Sequence, residues 1–159
     1  MEATLAVLCD YANITNDGKV NILGIFAEIN PPILPWQLPQ AFLVVTFSAS
    51  PAEQGQQRHL RLQLLRADGG TPLISIENDV TVPPPPRPGV RASINLMIGM
   101  GGLIFPQIGD YAFSVLVDND EKASIPVRVN PPRTIIPPGA NPWLGGVPPQ
   151  APQEGEPGP

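Results

Sequence analysis

Apolar and polar residues alternate in short runs over most of the first 130 positions of the chain. The clearest run is HLRLQLL at residues 59–65, where three leucines point to one side and polar residues to the other. A period of two predicts a strand with one face on a core and the other in water. Similar runs recur every ten to fifteen residues, with turn residues between them. This spacing is typical of an all-β sandwich or barrel.

The pattern predicts eight strands and no helix. The strands are expected within residues 4–9, 20–29, 42–47, 59–65, 73–82, 90–100, 111–117 and 123–129. The run at 20–29 alternates only in part, so we expect that strand to be covered on much of both faces. It is followed by a proline-rich stretch at 31–39. A strand that follows such a long connection, here the one at 42–47, often lies in the other sheet. Asp118, Asn119 and Asp120 predict a hairpin turn between the last two strands.

Proline and glycine are frequent, which makes long helices unfavourable. The chain has 159 residues, of which 23 are Pro and 15 are Gly, and each interior proline costs a helix about 3 kcal/mol. Ten of the prolines lie in residues 131–159, a segment with only three charged residues that cannot build a core. We therefore predict an antiparallel β-sandwich domain at residues 1–130 and an extended, proline-rich tail at residues 131–159.

The charge pattern argues against nucleic acids and membranes as partners. The formal net charge is −5, and the nine basic residues are scattered, whereas nucleic-acid binding needs a basic stripe. No apolar stretch reaches the roughly 18 residues of a membrane span. Cys9 is the single cysteine, so an internal disulfide is excluded, and the first apolar run is too short for a signal peptide. We therefore expect a cytoplasmic protein.

Few residues in the chain can support catalysis. Cys9 and His59 are the single cysteine and the single histidine, so they form the one possible nucleophilic pair. We interpret Cys9 as a buried thiol and His59 as a solvent-facing side chain. The acidic run at 118–121 lacks the ligand spacing of a calcium loop and is read as a hairpin tip. The sequence therefore predicts no catalytic residue, no metal site and no cofactor.

Residues 106–115 read PQIGDYAFSV. This string is similar to the entry of a late strand in immunoglobulin-like sandwiches, where a tyrosine hydroxyl can bond to nearby backbone at the corner between the sheets. Tyr111 is the candidate for that structural role, and a strand aromatic without the bond is the alternative. The resemblance implies that the predicted sandwich is immunoglobulin-like.

A second resemblance covers most of the predicted domain and none of the tail. CDYAN at 9–13 followed by DGKVNILGIF at 17–26 resembles the opening of a family of small bacterial and phage proteins whose function is unknown. The strings FPQIGDYAFSVLVD at 105–118 and IPVRV at 125–129 are similar to the same family. The resemblance implies a β fold and a bacterial or phage origin, and it carries over no catalytic residue.

Without a catalytic constellation, we predict a non-enzymatic interaction or assembly module that binds a protein partner. Trp143 and Leu144 lie between breakers in the tail, a form that suits a short motif filling a partner's pocket. The alternative is a tail that folds back on the domain or stays in water. The run PPPPRP at 83–88 should adopt a polyproline II conformation, either as a rigid connection between strands or as a ligand.

The second functional hypothesis is that the chain binds a small ligand. Its site would lie among the loops around 31–39 and 99–105, where Trp36 and Phe105 would line an apolar cleft. The two hypotheses differ in where they place the functional surface: the first uses the tail, and the second uses the loops of the domain.

Overall fold

Eleven strands and one short 3-10 turn make up the computed structural model, which describes residues 1–132. The strands are β1 (Glu2–Ile14), β2 (Val20–Phe26), β3 (Glu28–Ile29), β4 (Trp36–Gln37), β5 (Phe42–Ala49), β6 (Gln57–Arg66), β7 (Ile74–Thr81), β8 (Ala92–Gly99), β9 (Ile104–Phe105), β10 (Gly109–Val117) and β11 (Asp120–Val129). The 3-10 turn covers Pro51–Glu53 between β5 and β6. Among the described residues, no helix has the length and hydropathy needed to cross a membrane.

The strands form an antiparallel β-sandwich, which confirms the predicted fold class. One sheet has four strands in the order β2-β1-β5-β8, and the other has five in the order β3-β11-β10-β6-β7. The pairing is antiparallel except between β3 and β11, and β4 pairs with β9 in a separate two-stranded ribbon. The eight longer strands match the eight that the sequence predicts. The other three have two residues each, too few for alternation to reveal them.

The core lies between the two sheets and follows the alternation of the strands. Leu43, Val45 and Phe47 project from β5, and the three leucines predicted for one side of β6 meet them from the other sheet. Tyr111 begins the inward-facing row of β10, and its ring packs edge-on against Phe105 with centroids 5.2 Å apart. These side chains belong to one continuous apolar cluster, so burial between the sheets is the main stabilising contribution.

The chain joins the other sheet briefly at β3, just before the proline-rich stretch at 31–39. β3 pairs with β11 in the five-stranded sheet, but β5 then returns to lie beside β1 in the sheet that also holds β2. Relative to β3, which directly precedes the proline-rich stretch, β5 changes sheet as expected, but relative to β2 it does not. Local composition indicates an extended crossing, whereas the sheet that β5 joins depends on its long-range pairing with β1.

One side of the sandwich is closed and the opposite side is open. On the closed side, β1 contacts β11 across the two sheets. On the open side, β7 and β8 are the edge strands, and within residues 1–132 each pairs with a single neighbour, β6 or β5. The segment PPPPRP at 83–88 belongs to the connection between these two edges, and most of its residues are exposed. The two open edges therefore border the interior of the sandwich.

Candidate functional site

The structure separates the two residues that could have formed a nucleophilic pair. Cys9 lies in the four-stranded sheet and is fully buried, with its thiol 3.6 Å from the carbonyl oxygen of Phe42. Burial raises the pKa of the Cys9 thiol, and the negative charge of Asp10 raises it further. His59 lies in the five-stranded sheet, where its Nδ1 is 2.9 Å from a carboxylate oxygen of Asp79. The two side chains therefore occupy different sheets and form no dyad.

The acidic hairpin between β10 and β11 is tied to the protein itself. Asp118 and Asn119 have positive φ values of 52° and 68°, as the predicted tight turn requires. The Asp118 carboxylate accepts hydrogen bonds from the backbone N–H of His59 at 3.0 Å and from Arg58 at 2.8 Å. These bonds lower the pKa of Asp118. Within the part of the chain that the structure describes, no cluster of three or more His, Cys, Asp or Glu side chains could hold a metal ion.

Trp36 and Phe105 are brought together by the structure, but not around a cleft. They are direct partners in the ribbon of β4 and β9, and the flanking loops are joined by backbone bonds such as Leu38 N–H to the Leu103 carbonyl at 2.8 Å. Phe105 is fully buried against Tyr111, while Trp36 is half-buried against the core. The Phe105 ring is part of the core, so it is not available to line an open cleft. Trp143 and Leu144, the tail candidates, lie outside the described residues.

The outer faces of the two sheets differ sharply in chemistry. The outer face of the five-stranded sheet carries an ion pair between Arg61 Nε and Glu77 Oε1 at 2.7 Å and a hydrogen bond between His59 Nδ1 and Asp79. The outer face of the four-stranded sheet carries a second apolar cluster, in which the buried Cys9, Ala12 and Val44 pack against Val7, Val20, Ile22 and Phe42. The tip of the β1–β2 hairpin reaches across this face, because the Asn95 amide of β8 donates to the Gly18 carbonyl at 3.5 Å. A sheet face turned away from the core is normally polar in an antiparallel sandwich. The four-stranded sheet departs from that pattern.

The register of the four-stranded sheet aligns its apolar side chains across strands. Val44 pairs with Val7 on one side and Met97 on the other, and Cys9 pairs with Phe42 and Ile25. The Tyr11 ring meets the Phe42 ring edge-on at 5.8 Å, and Leu23 pairs with Tyr11. The outer apolar patch consists of the exposed Tyr11, Leu23 and Ile25 together with the Phe42 ring that Tyr11 contacts.

The outer apolar patch is open to solvent at its β2 side. Leu23 is 68% exposed and Ile25 is 63% exposed. The partial alternation of residues 20–29 predicted that this strand is covered on much of both faces, and for Leu23 and Ile25 that expectation is wrong. Monomeric proteins rarely leave a contiguous apolar surface uncovered, and such patches mark interaction sites. The sequence did contain a sign of this exposed apolar surface, because nearly every position of the strand is apolar.

A second feature is a cleft of about 390 Å³ between the sheets. It opens on the side where β7 and β8 are edge strands, and residues of both sheets line it. It is therefore separate from the ribbon of Trp36 and Phe105, where the sequence placed a ligand cleft. Sequence reasoning missed it because a cleft between two sheets depends on their separation, which no local pattern records.

Fold and surface together define a small antiparallel β-sandwich with one charged and one apolar outer face. The chain belongs to a family of unknown function, DUF6941, whose model matches residues 4–130. The strings at the start and end of the domain indicated a family of unknown function, and this match confirms that resemblance. No curated protein matches the chain.

Proposed function

We propose that this protein is a non-enzymatic interaction module of a bacterial or phage system, and that it binds a partner protein through the outer apolar patch. The observation that carries the proposal is the contrast between the two outer faces of the sandwich. One face carries charged and polar side chains such as Arg61, Glu77 and Asp79, while the other holds an apolar cluster with Leu23 and Ile25 open to solvent. Interface centres are depleted of charge in this way.

The chemistry of the patch defines the kind of partner that fits it. The patch residues are uncharged, but the exposed Asp10 carboxylate lies against Gly24, between Leu23 and Ile25. A partner that covers the patch must leave this carboxylate in water or pair it with a cation. Across the same sheet, Thr46 and Asn95 bond to each other at 3.0 Å and supply a polar, uncharged border. We therefore expect the partner to present an apolar surface for Leu23 and Ile25, with polar or basic groups at its margin near Asp10, as protein interfaces with an apolar centre and a polar rim do.

Two further parts of the proposal concern the fold and the tail. We propose that the sandwich is immunoglobulin-like, supported by the bond from the Tyr111 hydroxyl to the carbonyl of Gln107. We also propose that the tail at 131–159 adds a contact to the partner through Trp143 and Leu144. Truncation after Asn130 tests the tail, because an unchanged set of partners and unchanged affinities would reject its contribution.

The patch is tested with a charged variant and a matched control. The double variant L23K/I25K places charge on the most exposed part of the patch, and I108K makes the same change at an isoleucine that is 49% exposed elsewhere. Both variants should fold, because both replace exposed side chains. A partner captured with the wild type should bind I108K equally and lose about tenfold or more in affinity for L23K/I25K, because the lysines would have to be desolvated.

Hydrogen exchange of the complex then locates the contact. Protection should increase in β1, β2 and β5, and should not change in β6 and β7 of the opposite sheet. A partner that binds L23K/I25K as tightly as the wild type contradicts the proposal. So does sedimentation analysis in which the isolated protein self-associates and only L23K/I25K is monomeric, because the patch would then serve a second copy of the chain.

A further inference from the structure

The cleft between the sheets has the size and shape of a small-molecule site. Its volume of about 390 Å³ lies within the roughly 300–1,000 Å³ of typical ligand pockets. Leu43, Leu62 and Val115 form part of its floor and are buried. At its rim, Ile76 of β7 and Leu96 of β8 project inward but stay half-buried. The rim side chains therefore keep apolar area that a bound molecule can cover.

The lining is aliphatic and carries no charge. The cleft-lining residues include leucine, isoleucine and valine but no aromatic residue, so there is no ring on which a planar ligand can stack. Arg61 also borders the cleft, but its neighbours Leu60 and Leu62 are the inward-facing residues of β6. Strand alternation sends the Arg61 side chain to the outer face, where its guanidinium pairs with Glu77. Only the backbone of Arg61 faces the cleft.

Asn78 is the polar side chain at the mouth of the cleft. It pairs with Leu60 in the ladder of β6 and β7, so it shares the inward face with Ile76. It is exposed, and its side-chain amide makes no hydrogen bond to the described residues. An amide both donates and accepts hydrogen bonds and bears no charge. It therefore suits a neutral polar group, such as a hydroxyl or an ester, rather than a carboxylate.

We propose that this cleft binds a small, uncharged aliphatic molecule, with its hydrocarbon chain between Ile76 and Leu96 and one hydrogen-bonding group at Asn78. A charged end group would gain no cation inside the cleft and would lose water on entering it. An aromatic ligand would gain no stacking partner. The site is distinct from the outer apolar patch, because it opens between the edges of the sheets and not on an outer face.

The test compares two probes that share a hydrocarbon chain. 1-Octanol and octanoate are titrated into the full-length protein by isothermal titration calorimetry, and backbone amide shifts are followed by NMR. We expect saturable 1:1 binding of 1-octanol, with shifts in β6, β7 and β8. Octanoate should bind about tenfold more weakly or worse, because its carboxylate must be desolvated without a partner.

Variants then locate the binding. I76W fills the cleft from β7 and should abolish binding of 1-octanol. L96W fills it from β8 and is the variant to use if I76W does not fold. I108W makes the same change at an exposed isoleucine outside the cleft and should leave the affinity within about twofold of the wild type. N78L keeps the size of the side chain but removes the amide, so affinity for 1-octanol should fall by about three- to tenfold.

Several results would overturn the proposal. These are the absence of saturable 1-octanol binding up to its solubility limit, equal affinity for octanoate, and unchanged binding of 1-octanol to both folded tryptophan variants of the rim. Protection of β8 amides that grows with protein concentration would also overturn it, because a second copy would then occupy the open edge.

Discussion

The hydroxyl of Tyr111 donates a hydrogen bond of 2.7 Å to the backbone carbonyl of Gln107, four residues upstream. The bond closes the entry to β10 at the point where the ring packs on Phe105 and enters the core. Because the tyrosine is almost fully buried, its hydroxyl needs a partner inside the protein. The Tyr111 bond therefore joins a loop to the core.

Removal of this bond should destabilise the protein without changing its fold. Y111F keeps the ring and leaves the Gln107 carbonyl without its donor, so the free energy of unfolding should fall by about 1–2 kcal/mol. Urea denaturation measures the change through the midpoint at constant slope. The chain's other tyrosine provides the control, since Tyr11 is 47% exposed. Y11F should shift stability by less than about 0.5 kcal/mol, and equal losses in both variants would contradict this assignment.

Glu53 should make stability depend on pH in the acid range. Its carboxylate bonds to the amino group of Met1 and to the backbone N–H of Ser50, and these bonds lower its pKa to about 2 from an ordinary 4.5. Because the folded pKa is the lower one, the stabilisation is fully present above pH 4.5 and is lost as pH falls toward 2. We expect a loss on the order of 1–2 kcal/mol across that window.

Urea denaturation between pH 7 and pH 2.5 tests this expectation. E53Q should be less stable than the wild type at pH 7, and the two should converge at low pH. E2Q removes the same charge at an exposed position in β1 and should lose stability on acidification as the wild type does. The role of Glu53 is refuted by an E53Q variant that loses as much stability between pH 5 and pH 2.5 as the wild type.

The hairpin between β10 and β11 should gain stability from glycine. Asn119 has a φ of 68°, which costs any residue with a Cβ more than it costs glycine. N119G should therefore raise the free energy of unfolding by about 0.5 kcal/mol, and N119V should lower it by more than about 1 kcal/mol. Thermal unfolding of the two variants and the wild type gives their order of stability. A valine variant as stable as the glycine variant would disprove the strain.

Cys9 should be unreactive in the folded protein. Its side chain is fully buried and its pKa is raised by burial, so little thiolate is present to attack a reagent. Because the chain has one cysteine, the absorbance released from Ellman's reagent reports this thiol alone. We expect labelling that is slow in buffer and complete within minutes in concentrated urea. Rapid labelling of the native protein at pH 8 would show that the outer face of the four-stranded sheet opens readily.

The sequence by itself determined the strands, because alternation is a local property. Three leucines in the run at 59–65 identify one buried face whatever the neighbouring strand is. Asp118 and Asn119 likewise indicate their turn, since the preference for a positive φ belongs to the residues themselves. The strings that resemble the family are also local features of the sequence, and the family model covers residues 4–130.

Only the tertiary structure decided which side chains are exposed and which are buried. The sequence around Leu23 and Ile25 predicted a strand covered on both faces. In the structure, β2 is the edge of its sheet, and the described residues leave Leu23 and Ile25 exposed. Trp36 and Phe105 read as two sides of a cleft, but they pair in a ribbon that buries the Phe105 ring. Strand order, register and sheet separation come from contacts between residues far apart in the chain. For that reason alternation predicts which side chains share a face, and the assembled sandwich decides which faces meet water.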